Sequence, residues 1–372
     1  MQTFANIIEK YTWQQIRDQV YSVTSTDVER ALHANKRGVR EFMALISPAA
    51  ENYIEEMAQR CRQETLRRYG NVIHMYVPMY LSNECQNICT YCGFSLGNKI
   101  PRKTLSDEEI IKEAIAIRSQ GFEHILLVTG EANHTVSVPY FKNALKILKP
   151  YFSQVSIEVQ PLEENEYKEL SGHGVHSVLV YQETYNRERY KEFHPKGKKS
   201  NYQYRLETPD RIGKAGMHKI GLGVLLGLDD WRIENYFMAM HLGWLQKNYW
   251  KTRYSVSFPR LRPFSGGEFT PFPFSDKNLV QLISAYRLLN PELELSLSTR
   301  EPQKLRDKLF GLGINSVSAG SKTNPGGYSV DANSLEQFEI DDQRTPAQVA
   351  KAIKTAGYEP VWKDWDPVLS NA

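Results

Sequence analysis

The stretch VIHMYVPMYLSNECQNICTYC, residues 72–92, is the most informative part of the chain. Its first half, Val72–Leu81, is rich in β-branched and aromatic residues and predicts a buried strand. A C-x₃-C-x₂-C run made of Cys85, Cys89 and Cys92 follows this strand. Three thiolates would leave one iron of a cubane iron–sulfur cluster without a protein ligand, whereas electron carriers use four. The run therefore predicts a cluster with one open iron, where chemistry can occur.

The alternatives are an incomplete zinc site and three buried thiols. Tetrahedral zinc sites need a second ligand pair downstream, and the chain has no cysteine after Cys92. Free cysteine is often buried, but the chain has only four cysteines and three of them fall within eight residues. With Tyr91 before the third cysteine and Gly93 and Phe94 after it, the run resembles the radical S-adenosylmethionine (radical SAM) signature.

Composition predicts a cytoplasmic protein with a large core and an ordinary mixed surface. The 372 residues are 41% hydrophobic, and a chain of this length can build a large core without disulfides. We expect a reducing, cytoplasmic location with no membrane contact, because neither a secretory start nor a spanning apolar stretch is visible. The net charge of +3 predicts no nucleic-acid partner. The densest basic stretch, His194–Lys199, reads as a solvated loop.

An alternation of strands and helices begins after Gly70. It predicts a parallel sheet covered by helices, and eight units predict a closed (β/α)₈ barrel of the TIM type. A partial six-stranded barrel is the alternative. We divide the chain into an N-terminal helical extension, residues 1–70, and a barrel with a C-terminal helix, residues 71–372. Cys61 in the extension reads as a packed thiol. The eight predicted strands are Val72–Leu81, His124–Thr129, Val155–Val159, Val175–Tyr181, Ile220–Leu228, Tyr254–Phe258, Leu293–Leu297 and Ile314–Ser318.

The active site of such a barrel lies at the carboxyl ends of its strands. The second strand ends in Thr129, Gly130 and Glu131. This segment resembles the Gly-Gly-Glu segment of radical SAM proteins, which implies that Glu131 accepts the methionine amino group of the cofactor. Gly221 and Gly223 in the fifth strand permit close approach of a flat ligand to the backbone, which suits the adenine.

Polar residues also end the third and fourth strands. A carboxylate such as Glu158 is costly to bury in an apolar strand unless it is paired, so it indicates either a ligand group or a structural salt bridge. The segment Tyr181–Thr184 is polar where a packed strand would be apolar. Arg205 resembles the arginine near the cofactor's carboxylate in related barrels, and a surface arginine is the alternative.

Arg300, after the seventh strand, is the candidate for holding a substrate carboxylate. The planar guanidinium can make two parallel hydrogen bonds to a carboxylate. Ser318 and Ser321, at the end of the eighth strand, could supply further hydrogen bonds. This group of residues predicts an amino-acid substrate, and the alternative is a structural ion pair between Arg300 and a nearby carboxylate.

Seven motifs along the chain carry a family resemblance: CQNICTYCGF, VTGE, IEVQPL, VYQETYN, RIGKAGM…IGLGVLLGL, FPRLRP and LSTRE. Through them nearly the whole chain resembles the radical SAM tyrosine lyases of thiamine biosynthesis, the 2-iminoacetate synthases. A related tyrosine lyase that matures iron-only hydrogenase carries extra cysteines for a second cluster. The absence of any cysteine after Cys92 excludes that second chemistry here.

The resemblance implies a mechanism. Cys85, Cys89 and Cys92 would hold one 4Fe–4S cluster whose open iron chelates S-adenosyl-L-methionine. Reductive cleavage would yield methionine and a 5′-deoxyadenosyl radical, which takes hydrogen from the amino group of L-tyrosine. The Cα–Cβ bond then breaks, giving 2-iminoacetate (dehydroglycine) and p-cresol. Arg300 would orient the substrate.

The resemblance also implies partners. These are the thiazole synthase that consumes the labile product, and a one-electron donor such as flavodoxin or ferredoxin. Two alternative functions stay open from the sequence. The substrate could be tryptophan or another aromatic amino acid, or the chain could be an iron–sulfur electron-transfer or assembly protein.

Overall fold

Eight parallel strands close into a barrel in the computed structural model, which describes residues 3–264, 267, 269–331 and 336–363. Each strand pairs with the next along the chain, and the eighth pairs with the first. The predicted (β/α)₈ barrel is confirmed, and the six-stranded alternative is wrong. The strands are β1 Val72–Ser82, β2 His124–Thr129, β3 Gln154–Glu158, β4 Val175–Leu179, β5 Lys219–Gly223, β6 Arg253–Ser257, β7 Glu294–Leu297 and β8 Ser316–Ser318.

Helices cover the barrel and form the N-terminal extension. Several begin at side-chain caps: Ser106 accepts from the Glu109 N–H in a capping box, and Pro346 follows Thr345 at the start of the last helix. The helices are α1 Phe4–Ile8, α2 Trp13–Tyr21, α3 Ser25–His33, α4 Val39–Ile46, α5 Ile54–Tyr69, α6 Asp107–Ser119, α7 Val138–Leu148, α8 Glu164–Gly172, α9 Arg187–Phe193, α10 Tyr202–Leu206, α11 Thr208–Lys214, α12 Trp231–Asn248, α13 Asp276–Leu289, α14 Gln303–Leu309 and α15 Pro346–Thr355.

The sequence patterns missed several short elements. Helices α9 and α10 lie between β4 and β5, ahead of α11. A ninth strand, β9 (Glu359–Val361), pairs in parallel with the start of β1 outside the closed barrel. These elements are seven residues long or shorter, so they carry little periodicity for a sequence pattern to reveal.

The N-terminal helices pack on the barrel's outer layer. Helices α4 and α5 contact α13, and α5 ends at Gly70, which has a φ of 62°. Cys61 on α5 is fully buried, and its thiol donates to the carbonyl of Leu312 at 3.1 Å, so its reading as a packed thiol is confirmed. The division of the chain near residue 70 stays a prediction. Within the described ranges, no helix is both long and apolar enough to cross a membrane.

Candidate active site

The loop that carries the three cysteines, residues 85–92, is held by backbone hydrogen bonds from two directions. The Gln86 N–H donates to the Glu131 carbonyl beyond β2 at 2.9 Å. The Ile88 N–H donates to the Lys196 carbonyl at 3.0 Å. This cysteine loop is therefore held by the segments that follow β2 and β4, and its position depends on the closed barrel.

Two glycines allow this close approach. A Cβ on Gly130 would lie 2.2 Å from the Glu84 carbonyl oxygen, and a Cβ on Gly197 would lie 2.2 Å from the Asn87 side-chain oxygen. Gly197 also has a φ of 96°, which side chains disfavour. The backbone at Gly130 and at Gly197 therefore packs directly against the cysteine loop and the residue before it. Gly130, predicted as a cofactor residue, has this packing role in the structure.

The three thiols suit an iron–sulfur cluster in number and surroundings. Burial raises the pKa of Cys85, and raises that of Cys89 well above its usual range, with each neighbouring cysteine adding to the effect. Three neighbouring thiolates, one buried and two partly buried, would repel one another, so the donor set needs a cationic metal centre. In the described part of the chain, no three His, Cys, Asp or Glu side chains converge as ligands of a single metal ion. A cubane does not need such convergence, because its cysteines bind different irons.

Beside the cysteine loop lies a buried network of ion pairs. Arg205 Nη1 donates to Glu131 Oε1 at 2.8 Å, and Arg205 Nη2 lies 3.5 Å from Glu183 Oε1. Lys199 Nζ donates to the same Glu183 oxygen at 2.8 Å. Asn87 of the cysteine loop donates to the second oxygen of Glu131 at 2.8 Å. The predicted cofactor residues Glu131 and Arg205 are thus brought into direct contact.

Glu183 stands out in this network. Its φ is 70°, in the left-handed region that side chains rarely adopt. Burial acts to raise the pKa of its carboxyl, but Lys199 and Arg205 outweigh burial and lower it. Strained backbone of this kind persists where the surroundings hold it, and it is concentrated at functional sites. Of the polar cluster predicted after the fourth strand, Tyr181 and Glu183 line the cavity described below, whereas Thr184 is buried and donates to Glu234 on α12.

The basic stretch that was read as a solvated loop is buried in part. The Lys199 side chain is 11% exposed and pairs with Glu183, and His194 is fully buried against Tyr91 and Tyr190. The prediction of a solvated loop is wrong at these two positions. The sequence of a basic stretch does not show which of its residues will form an ion pair with a buried carboxylate.

Three more residues were predicted to contact the cofactor: Thr129, Gly221 and Gly223. The Thr129 hydroxyl is buried and has no hydrogen-bond partner among the described residues. A Cβ on Gly221 would lie 2.5 Å from Leu179, and one on Gly223 would lie 2.8 Å from the Tyr181 ring. Side chains of β4 and the segment after it thus occupy the space at both glycines. Their contact with an adenine stays a prediction.

A single cavity joins the cysteine loop to Arg300. Its walls include Cys92, Glu158, Arg300, Ser318 and Ser321, so it brings together a cluster cysteine and all four residues predicted to act on the substrate. These residues follow or end β1, β3, β7 and β8. The site is therefore built where sequence reasoning placed it, at the carboxyl ends of the strands.

Arg300 faces this cavity without a carboxylate partner among the described residues. Its Nη1 donates to the Arg260 carbonyl at 3.2 Å, and its guanidinium lies 3.4 Å from the centre of the Phe338 ring. Burial lowers the pKa of Arg300. Nearby Arg260 instead pairs with Glu301 at 3.0 Å. The alternative of a structural ion pair at Arg300 is not found in the described ranges.

The other predicted substrate residues line the same walls. Ser318 Oγ accepts from the Thr299 N–H at 3.2 Å, and Ser321 Oγ lies 3.3 Å from Ser318 Oγ. Glu158 has neither an ion pair nor a hydrogen bond to its carboxylate among the residues described. Burial raises the pKa of Glu158 to about 7, with nearby Glu183 adding to the effect.

Sequence reasoning missed Gln337. Its side-chain oxygen accepts from the Tyr80 hydroxyl at 2.8 Å, and its Nε2 lies 3.5 Å from Cys92 Sγ. Its backbone carbonyl accepts from the Gly93 N–H at 3.2 Å. With Phe338 on Arg300, this C-terminal segment touches both ends of the cavity. No motif marks it, because its position depends on long-range packing.

Comparison with known protein families agrees with this geometry. The Radical SAM superfamily model matches residues 79–239, which include the cysteine loop and the ion-pair network. The Biotin and Thiamin Synthesis associated domain matches residues 257–359, which include Arg300 and both serines. The closed barrel with its three-cysteine loop is therefore that of a radical SAM enzyme.

Individual relatives narrow the class. The chain is 52% identical to 2-iminoacetate synthase from Escherichia coli strain K12 over 373 residues, covering 100% of this chain and 99% of the relative. Its match to the Salmonella typhimurium 2-iminoacetate synthase has the same identity and coverage. The chain belongs to the 2-iminoacetate synthase family. A crystal structure of HydG, a maturase of the FeFe-hydrogenase, superposes with a TM-score of 0.91 at 30% identity, covering 96% of this chain and 81% of HydG.

Proposed function

We propose that the chain cleaves the Cα–Cβ bond of L-tyrosine by radical chemistry, releasing 2-iminoacetate and p-cresol. The observation that carries this proposal is the cavity that joins Cys92 to Arg300, whose guanidinium has no carboxylate partner in the described part of the chain. A buried cation that lacks a counter-ion at a cavity wall is suited to a ligand carboxylate. The family's activity supplies the reaction.

The cofactors are one 4Fe–4S cluster, held by Cys85, Cys89 and Cys92, and S-adenosyl-L-methionine. When bound, they supply reductive cleavage of the sulfonium and a radical that takes a hydrogen atom from the substrate. The protein's own part is to bind and orient the substrate and to keep water out. The mainly buried walls around the cysteine loop suit that task.

Arg300 holds the substrate carboxylate in this proposal, and the hydroxyls of Ser318 and Ser321, which line the same cavity, add hydrogen bonds. The Phe338 ring on one face of the guanidinium limits its movement. Held in this way, the amino group of the substrate can be directed toward Cys92 and the cluster. Orientation of this kind decides which hydrogen atom is taken.

Glu131 and Arg205 bind the amino-acid part of the cofactor in this proposal. Each oxygen of Glu131 already accepts one hydrogen bond, from Arg205 or from Asn87. A carboxylate has about four lone-pair sites, so Glu131 can also accept from an ammonium group. Arg205 has five donors, of which the Tyr181 carbonyl and two carboxylates take three. The others can reach a ligand carboxylate.

Glu158 is assigned to proton exchange with the bound substrate. Its carboxyl lines the cavity and has a pKa near 7, as a general acid or base at neutral pH requires. The predicted partners, thiazole synthase and a flavodoxin or ferredoxin, belong to this proposal as well. A product that hydrolyses readily favours direct transfer to the enzyme that consumes it.

Anaerobic reconstitution with iron and sulfide tests the proposal. We expect 5′-deoxyadenosine to form, with p-cresol appearing only when L-tyrosine is present, as separated by chromatography. Skatole from L-tryptophan in place of p-cresol would transfer the assignment to a tryptophan lyase. A reduced, cluster-loaded protein that does not cleave S-adenosyl-L-methionine would favour an electron-transfer or assembly role.

A further inference from the structure

The interior of the barrel below the substrate cavity is polar. In most (β/α)₈ barrels, branched apolar side chains fill this space in layers. Here the inner surface has Gly221 on β5 and a group of hydroxyls on the neighbouring strands. The serines that line this section are Ser156, Ser177, Ser255, Ser257 and Ser296.

Three chambers lie one after another along the barrel, and neighbouring chambers share wall residues. The substrate cavity and the middle chamber share walls at Tyr76, Leu126, Ser257 and Ser296. The middle chamber shares only the Lys219 and Glu294 walls with a third chamber, which opens at the opposite face of the barrel. Measured to the centres of water molecules, their volumes are about 160, 20 and 620 Å³. The narrowest chamber still holds about one water molecule.

Polar groups follow one another along these chambers. The Tyr76 hydroxyl and Ser296 Oγ lie 3.0 Å apart at the floor of the substrate cavity. Further down, His124 Nε2 lies 3.0 Å from Ser156 Oγ, which is hydrogen-bonded to Ser177 Oγ. Such a series of hydroxyls and an imidazole can pass a proton if water fills the remaining gaps.

Gln154 is a second indication of water. It lies two residues before Ser156 on β3 and so faces the same side of the strand. It is 1% exposed, and both its Nε2 and Oε1 lack a hydrogen-bond partner among the described residues. Buried polar groups of this kind are usually satisfied by internal water.

We infer that the barrel interior is a water-filled path that delivers a proton from the opposite face to the substrate cavity. The inference rests on the proposed function. Homolysis of the Cα–Cβ bond leaves a 4-hydroxybenzyl radical beside 2-iminoacetate. One electron from a one-electron donor protein and one proton, added to its CH₂ group, convert the radical into p-cresol. The path would supply that proton.

The ion pair at the lower end marks where the path meets the third chamber. Lys219 Nζ donates to Glu294 Oε2 at 2.8 Å, and the two side chains are 7% and 24% exposed. Because both are charged, water is retained beside them. His74 and Asn315 line the chamber beyond, toward solvent.

A variant that closes the middle chamber tests the inference. Ser255 lines that chamber without lining the substrate cavity, and its Oγ faces Gly221. Ser255→Val fills the chamber, whereas Ser255→Ala removes the hydroxyl and leaves the space open to water. In Ser255→Val, we expect the amount of p-cresol formed per 5′-deoxyadenosine to fall about ten- to a hundred-fold. Loss of a positioned proton-transfer group typically slows a reaction about a hundred-fold or more, so the expected fall lies at or below that size. Ser255→Ala should keep the wild-type ratio.

Two further measurements separate proton delivery from a structural effect. Replacing H₂O by D₂O should slow p-cresol formation by a larger factor in Ser255→Val than in the wild type. The affinity for tyrosine should be the same in both proteins. A crystal structure of the substrate-free wild type should show ordered water in the middle chamber, and Ser255→Val should lack it. If Ser255→Val does not fold, Ser177→Val closes the same chamber from β4.

The outcomes are distinguishable. A wild-type product ratio in both Val variants, or a dry middle chamber in the wild type, would overturn the proton path. Equal loss of 5′-deoxyadenosine and p-cresol would also overturn it, because that pattern means general damage. A wild type that forms 5′-deoxyadenosine but no p-cresol from L-tyrosine would instead overturn the proposed function, and the inference with it.

Discussion

The two halves of the barrel mouth differ in how their charges are balanced. The half from β1 to β5 holds Glu131, Arg205, Glu183 and Lys199 in a closed network of ion pairs. The half from β6 to β8 presents Arg300, which makes no ion-pair contact with a carboxylate in the described ranges. A network that is paired before any ligand arrives is preorganised for a constant cofactor. The unpaired Arg300 can form its ion pair only with a bound carboxylate, so that interaction contributes to substrate binding.

The strongest test of this comparison is loss of the cluster. Cys85→Ala, Cys89→Ala and Cys92→Ala should each abolish the iron–sulfur absorption and every product, because each removes one of the three protein ligands. Iron content and the visible spectrum of the anaerobic protein measure this. Cys61→Ala is the matched control, since Cys61 is a buried thiol on α5, away from the cavity. Loss of the cluster in that control would contradict the ligand assignment.

Next in size is the effect of Arg300→Lys, which acts only on the substrate half. It keeps the charge but loses the planar fork, and a charge-assisted hydrogen bond contributes roughly 1.5–3 kcal/mol. Tyrosine affinity should therefore fall about ten- to a hundred-fold. Cleavage of S-adenosyl-L-methionine without substrate should persist, so 5′-deoxyadenosine should exceed p-cresol.

Arg260→Lys serves as the control for this change, because Arg260 already pairs with Asp276 and Glu301. It should keep the wild-type product ratio. Normal tyrosine affinity and a normal ratio in Arg300→Lys would make that arginine structural and remove the contrast between the halves.

Glu131→Gln should act only on the cofactor half, and more weakly. The amide keeps an oxygen for a hydrogen bond but loses the charge, so S-adenosyl-L-methionine affinity should fall about ten-fold. Arg205 keeps Glu183 and the Tyr181 carbonyl as partners, so the cluster should stay assembled. Equilibrium binding measures the affinity, with Glu164→Gln, an exposed carboxylate on α8, as control. Unchanged affinity would leave Glu131 as a packing residue.

The last prediction concerns the stability of the fold, and it uses Glu158, which lies on β3 but lines the substrate cavity. Its pKa rises from 4.5 to about 7 on folding, chiefly through burial. The folded state therefore binds the proton more tightly, and stability is lost as pH rises from about 4.5 through about 7. Glu158→Gln should remove that loss, which is at most roughly 3 kcal/mol.

Urea unfolding of the cluster-free chain at pH 4.5 and pH 8 measures the effect. The variant should match the wild type at the lower pH and unfold at higher urea concentration at pH 8. An equal pH dependence in both proteins would mean that Glu158 ionises freely and does not share the buried environment of the cavity.

Strand positions show how far local patterns reach. His124–Thr129 was predicted with the observed bounds, because six consecutive residues of a buried parallel strand form an apolar run between turns. Arg300, Ser318 and Ser321 could be placed together because strand ends meet at one face of a barrel. The reading of His194–Lys199 as solvated failed at Lys199, whose partner Glu183 is sixteen residues away along the chain.

The sequence alone determined the class of chemistry and the architecture, because three cysteines within eight residues and a repeating strand–helix pattern are local features. Tertiary structure decided which charged groups are paired and which are not. Only the closed barrel sets Arg205 against Glu131, and Phe338 against Arg300. Only the closed barrel turns scattered serines of β3 to β7 into one polar interior. Pairing and burial depend on residues far apart in the chain, and no local pattern records them.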